Sequence, residues 1–142
     1  MIWKNEPTID GINQIMQNTL VSHLGITFTE VGSNYLKATM PVDNRTKQPM
    51  GLLHGGASVA LSETVGSIAG VLILDDPSEA SIVGIEISAT HLKSVKSGLV
   101  TGITKPIKIG KRLQVWNTEI FDENGNIICI SKLTTMRIQN DK

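Results

Sequence analysis

The sequence predicts an α+β fold in which an antiparallel six-stranded sheet wraps around a long central helix. Three observations carry this. A proline-free, strongly apolar stretch covers 53–74, two strand-like segments precede it, and four follow it. Strands gathered before and after a helix, with no strand–helix alternation, argue against a parallel sheet. At 142 residues the chain has the length of one domain, 1–142, with no room for a second.

Taken in order, Thr8 or Asp10 can cap a first helix on which Ile9, Ile12, Ile15, Met16 and Leu20 share one face, with Gly25 as its stop. Segments 26–31 and 35–42 flank Gly32-Ser33-Asn34 and read as a hairpin. The polar stretch 43–52, with Pro49 and Gly51, is a loop that delivers side chains to the mouth of the central helix. That helix carries Ala57, Ala60, Leu61, Val65, Ile68, Ala69 and Leu72 as a broad apolar surface. Gly56, Glu63, Ser67 and Gly70 follow one another at helical spacing, a small-residue stripe that something must approach closely. Asp75-Asp76-Pro77-Ser78 ends the helix. Strands are then expected over 81–91, 99–105, 113–121 and 127–138, with turns at Ser97-Gly98, 108–111 and Asn124-Gly125. Six strands cannot cover such a helix on every side, so a dimer and a larger homo-oligomer are expected.

Thirteen basic and thirteen acidic side chains cancel, leaving no global field to hold nucleic acid. With 40% hydrophobic and 18% charged residues the chain reads as folded rather than disordered. The lone Cys129, inside an apolar run, reads as a small buried hydrophobe. The first residues lack the pattern of a secretory signal, and no stretch reads as the roughly 18 apolar residues of a membrane span. A cytoplasmic protein is the expectation.

The chemistry concentrates where His54, Gly55 and Gly56 open a helix that carries a single carboxylate, Glu63. Backbone N–H groups among small residues, just ahead of an acid, suit acyl transfer. A lone acid amid apolar residues is costly to bury without partners. The competing reading of Glu63 is a solvated helix face or a hydrogen bond to Thr64 or Ser67. His54 is either a capping or packing residue or, with Gln48 and Gly55, part of a site. His23, His54 and His91 are scattered and no paired cysteines exist, so no protein-built metal site is expected. Gly56-Ala57-Ser58-Val59-Ala60 misses the nucleophile-elbow pattern at its last position, which sets Ser58 aside as nucleophile. No Gly-Lys-Ser/Thr follows the glycines, which excludes a P-loop. Lys93, Lys96, Lys105, Lys108, Lys111 and Arg112 are either solvated turn residues or a resting place for a nucleotide phosphate.

The run Arg45-Thr46-Lys47-Gln48-Pro49, then Gly51-Leu52-Leu53-His54-Gly55-Gly56-Ala57-Ser58 and Glu63, resembles the hotdog-fold acyl-CoA thioesterases. The PaaI-like branch, whose catalytic acid rides on the central helix, is the nearest. Met1-Ile2-Trp3-Lys4, Ala38-Thr39-Met40-Pro41-Val42-Asp43, Gln114-Val115-Trp116, Ile120-Phe121-Asp122-Glu123 and Leu133-Thr134-Thr135 extend the resemblance over nearly the whole chain. It implies hydrolysis of an aromatic acyl-CoA, nearest to the dihydroxynaphthoyl thioester of menaquinone biosynthesis. Coenzyme A is then part of the substrate and no separate cofactor is needed. A proofreading thioesterase acting on carrier-protein or CoA esters, or a non-catalytic acyl-CoA-binding module, are the alternatives. The resemblance also implies a tetramer of hotdog dimers, with Gln48 and His54 of one subunit facing Glu63 of the other. In it Gly55 N–H receives the oxyanion, Glu63 attacks the carbonyl or activates water, Ser67 positions, and Thr64 borders the acyl group. His91, Lys93, Ser94, Lys111 and Arg112 would meet coenzyme A. One departure stands out: the acidic stretch 74–81 looks long for the family and is expected to reshape the acyl-pocket entrance.

Overall fold

Thr8 caps the first helix, α1 (Ile9–Ile15), its hydroxyl accepting from Gly11 N at 3.1 Å. In the computed structural model, which describes residues 1–141, this helix does not run on to Leu20 as expected. Asn18 adopts a left-handed backbone (φ 59°), and Thr19 starts a separate short helix, α2 (Leu20–His23), through a capping box with Ser22. The break turns the apolar face: Ile12 is buried, while Ile15 and Leu20 are left exposed. Lys142, the last residue of the expected domain, lies outside the described residues.

The hairpin forms as expected, β1 (Thr27–Val31) against β2 (Leu36–Pro41), closed by Gly32 N donating to Tyr35 O at 2.9 Å. The loop that follows is pinned by Thr46, whose hydroxyl donates to Pro41 O at 2.7 Å, and by a bridge between Lys47 and Leu53. It leads into the long helix α3 (Gly55–Leu72) and then β3 (Ala80–His91), β4 (Leu99–Ile109), β5 (Leu113–Phe121) and β6 (Ile127–Gln139). All pairings are antiparallel, in the order β1-β2-β4-β5-β6-β3, so the chain leaves β2, crosses the sheet as α3 and returns at the far edge as β3. Strand β4 runs past the expected end at 105 because a register shift between Pro106 and Lys108 lets the ladder bypass the proline, which has no N–H to give. The following turn therefore starts at Gly110. Gly98 (φ 85°) and Gly125 (φ 79°) take left-handed conformations at the other two expected turns.

Alternation along the strands decides what faces α3. Leu36, Ala38 and Met40 of β2, Trp116, Thr118 and Ile120 of β5, and Ser131, Leu133 and Thr135 of β6 are buried beneath it. From above, Leu61, Val65 and Ala69 are fully buried. Gly66 brings helix and sheet together, since a Cβ there would lie 2.7 Å from Leu133 Cδ2. Cys129 is buried as expected. By length and composition alone α3 could pass for a membrane span, with mean hydropathy 1.2 over 18 residues. A helix that must cover a sheet needs the same composition, and the buried Leu61, Val65 and Ala69 belong to that packing.

Candidate active site

His54 is the N-cap of α3. Its Nδ1 accepts from Gly56 N at 2.7 Å, which leaves the ring proton on Nε2, and its carbonyl accepts from Ala57 N (3.0 Å) and Ser58 N (3.3 Å). Of the four N–H groups that a helix start leaves open, only that of Gly55 has no acceptor among the described residues. The capping reading of His54 is therefore structurally right, and it is compatible with a site: capping its neighbours singles out one free donor at the positive end of the helix. The His91 ring, at the end of β3, lies directly over Gly55, where a Cβ would stand 2.7 Å from Nε2. Gln48 closes the loop beside them, its Oε1 accepting from Met50 N and its carbonyl from Gly51 N. Gln48, Gly55, His91, Lys93 and Ser94 line one open cavity of about 350 Å³. Ser58, discounted as a nucleophile, is 2% exposed and also lines it.

Glu63 lies elsewhere. Eight residues along α3 from Gly55 it is about 12 Å further on at ~1.5 Å per residue. It shares a separate hollow of about 260 Å³ with Thr64, Ser67 and Ile68, walled by Met16 and Val21 from either side of the α1–α2 break. Glu63 is half-buried, and neither Thr64 nor Ser67 donates to its carboxylate among the described hydrogen bonds. What approaches the small-residue stripe is β3: Ile82 packs on Gly70, Gly84 abuts the Glu63 carboxylate, and His91 covers Gly55.

The five residues expected to meet coenzyme A do not gather in one chain. Lys93 Nζ is 3.2 Å from Asp122 Oδ2. The Asn126 amide, the backbone N–H groups of Asn126 and Asn124, and Lys93 hold the Asp122 carboxyl at about 2, against an opposing effect of burial. Lys111 sits with Asp75, Gln114 and Arg137 in a hollow of about 250 Å³ beside Ile73 and Leu74, at the C-terminal end of α3. Arg112 is exposed next to it, its carbonyl accepting from Arg137 N. The acidic stretch 74–81 is at this same end, its turn held by Asp76 accepting from Ser78, so within one chain it stands away from the Gly55 cavity. No cluster of three potential metal ligands occurs among the described residues. The sequence placed Met16 on the apolar face of the first helix and did not show that Met16, Val21 or Gly84 would neighbour Glu63. For the first two no signal exists without the helix break; for Gly84 the signal was a glycine in mid-strand.

Residues 50–129 match the family described as the thioesterase superfamily. The chain is 50% identical over 135 residues to 1,4-dihydroxy-2-naphthoyl-CoA hydrolase of Escherichia coli, covering 95% of this chain and 98% of that protein. It is also 50% identical over 135 residues to the proofreading thioesterase EntH of Cronobacter turicensis, at 95% and 97% coverage. Among solved structures, a thioesterase from Haemophilus influenzae superposes with a TM-score of 0.94 at 47% identity, over 98% of this chain and 96% of that one. A variant of a thioesterase from Pseudomonas aeruginosa gives 0.96 at 38% identity, over 99% and 100%. The six-stranded sheet around α3 is thus the hotdog-like fold of these thioesterases.

Proposed function

The chain belongs to the thioesterase superfamily, and on that premise we propose that it hydrolyses an aromatic acyl-CoA, 1,4-dihydroxy-2-naphthoyl-CoA in menaquinone biosynthesis. The observation that carries the mechanism is the single unsatisfied N–H of Gly55 at the positive end of α3, with His54, Gln48 and His91 around it. A thioester oxygen becomes negative when its carbonyl turns tetrahedral, and a fixed donor at a helix N-terminus stabilises it there. His54 Nε2–H helps hold the thioester, and Gln48 orients the attacking group. Glu63 is either the nucleophile, giving a mixed anhydride that water then cleaves, or the base that takes a proton from the attacking water. In both routes the C–S bond breaks, the sulfur leaves as thiolate and takes up a proton, and the acid is released. Ser67 positions the carboxylate or the water, and Thr64 borders the acyl group with an apolar wall beside it.

One carbonyl cannot sit within ~3 Å of a donor at Gly55 and also reach a carboxylate about 12 Å along the same helix. The site is therefore shared: Gln48, His54 and Gly55 of one subunit meet Glu63 of a second. Strand β3 is one of the two edges of the sheet, the other being β1, and with Val83 and Ile85 exposed along it this edge suits pairing with a second copy. Ile107, Ile109, Leu113 and Ile138 are also exposed and suit a further contact between dimers. Sharing also offers Lys111 and Arg112 a route to a coenzyme A molecule whose thioester end lies by His91 and Ser94. Sedimentation at micromolar concentration is expected to give about four times the 15.3 kDa chain mass. A stable monomer that still turns over would sink the shared site. The proposed location is the cytoplasm, where coenzyme A esters are made and used.

A second reading, favoured by the 50% identity to proofreading thioesterases, is clearance of misloaded aryl groups from carrier proteins. Thiol release from 1,4-dihydroxy-2-naphthoyl-CoA, benzoyl-CoA, a dihydroxybenzoyl-carrier protein and straight-chain acyl-CoAs separates these readings. We expect kcat/KM to be highest on the naphthoyl ester. A preference for the carrier-bound ester would establish the second reading, and binding without hydrolysis of any ester would leave an acyl-CoA-binding module.

A further inference from the structure

We infer that Gly84 is a positioning residue for the Glu63 carboxylate, an inference that rests on the role proposed for Glu63 above. A Cβ at Gly84 would lie 2.6 Å from Glu63 Oε1 and 3.6 Å from its Cδ, closer than any real contact at the first atom, while Leu133 Cδ1 would be at an ordinary 3.5 Å. The carboxylate thus occupies the space that any other residue at 84 would fill. Backbone geometry does not ask for glycine here: Gly84 is not among the glycines with positive φ. Nor does the strand, since a glycine inside a strand weakens it. What glycine supplies at this position is room, and the group using the room is the lone acid of α3.

Local structure fits this role. The β3–β6 register shifts between Gly84 and Glu86, so the strand bulges at the point where the carboxylate meets it. Bulges re-aim backbone and side chains next to active sites. Glu63 has no hydrogen-bond donor holding it among the described residues, so the contact with the Gly84 backbone is what limits where its end can go on this side. The atom that a new methyl would strike is the far end of a flexible side chain. The fold should therefore absorb the substitution by swinging the carboxylate away, at little cost to stability and a large cost to geometry. Displacement of a reacting group by about 1 Å is enough to cost on the order of 100-fold.

The test is Gly84→Ala, alone and combined with Glu63→Asp, measured on the preferred thioester together with sedimentation and thermal unfolding. For Gly84→Ala we expect kcat lower by about 10- to 100-fold, KM within about two-fold, and oligomeric state and unfolding midpoint unchanged. The acid limb of the pH–rate profile should also move, because the displaced carboxylate meets different surroundings. Aspartate is one methylene shorter and withdraws from Gly84, so in the Glu63→Asp background the added methyl should cost less than about two-fold. A structural role for Gly84 would give the same loss in both backgrounds, with the acid limb unmoved, and that result overturns the inference. So does a Gly84→Ala enzyme with the kcat and acid limb of the wild type, provided Glu63→Gln is inactive. If Glu63→Gln itself turns over normally, the proposed role of Glu63 fails first and the positioning role fails with it.

Discussion

Glu63→Gln is expected to lower kcat by roughly 10³-fold or more while the protein stays folded and binds its thioester as before. The two side chains have nearly the same shape, so the hollow shared with Thr64, Ser67, Met16 and Val21 keeps its volume. The carboxylate accepts no hydrogen bond among the described residues, so exchanging an oxygen for an NH2 orphans no buried partner. The unfolding midpoint should accordingly move by little in either direction. Chemistry, in contrast, loses its centre. An amide neither attacks a thioester carbonyl nor takes a proton from water, and no neighbouring acid on α3 replaces it, because Glu63 is the one carboxylate between Gly55 and Leu72. The Gly55 N–H remains in place to polarise the carbonyl, so residual hydrolysis above the uncatalysed rate is expected. Thiol release under saturating substrate, paired with a binding titration, separates the two terms. A variant with near-normal kcat removes Glu63 from the mechanism; one that has lost binding as well as turnover means that the charge served to hold the substrate.

Much of this fold could be read from local chemistry. Strand β5 was legible because glycine-containing turns bound it on both sides, at Gly110 before Leu113 and at Asn124-Gly125 after Phe121. The end of β4 was not, because Pro106 argues locally against a continuing strand, and only pairing with Trp116 and the bulge that follows make it tolerable. Likewise Ile15 and Leu20 keep helical spacing with Ile9 and Ile12, yet Asn18 in a left-handed conformation ends that period, and an asparagine in sequence does not announce which conformation it takes. At the site, Gln48, His54 and Gly55 are neighbours in sequence and their grouping was visible. His91 joins them because β3 runs back along the α3 stripe, which is a long-range contact that no spacing encodes. The distance between Gly55 and Glu63 was legible as helical rise, whereas a site shared between two copies of the chain came only from the resemblance to the hotdog thioesterases.

Trp116→Ala is expected to cost about 3–5 kcal/mol of stability, the range for truncating a buried aromatic side chain. Against a total of about 5–15 kcal/mol, that leaves the variant marginal at physiological temperature. Trp116 heads the fully buried side chains by volume, and its neighbours cannot follow it into the space it would vacate. Trp3 stacks on it with ring centroids 6.4 Å apart and planes 16° from parallel, but Trp3 is itself tied to the β1–β2 turn by Nε1 donating to Gly32 O at 2.6 Å. Beside them, Ile2 N donates to Ser33 O and Lys4 N to Leu72 O, so the N-terminal segment bridges the hairpin and the end of α3 and cannot slide inward without breaking both. The hydrogen-bond loss is the smaller part. Thr135 accepts from Trp116 Nε1 at 3.3 Å and still donates to Gln114 Oε1 at 2.9 Å when the indole is gone, so no buried donor is orphaned. The cost is therefore that of an unfilled cavity. Urea unfolding followed by far-ultraviolet circular dichroism should show a lower midpoint at an unchanged slope, the sign of a lost contact in a structure that is otherwise intact. A loss below about 1.5 kcal/mol would mean that the core collapses around the gap after all. The folded fraction should also be slower. Trp116 pairs across the ladder with Leu133, and the two methyls of Leu133 lie against Gly66 of α3 and near Gly84 of β3. Loosening that leucine loosens the seat of the carboxylate, which connects the centre of the core to the Glu63 end of the site through a single side chain.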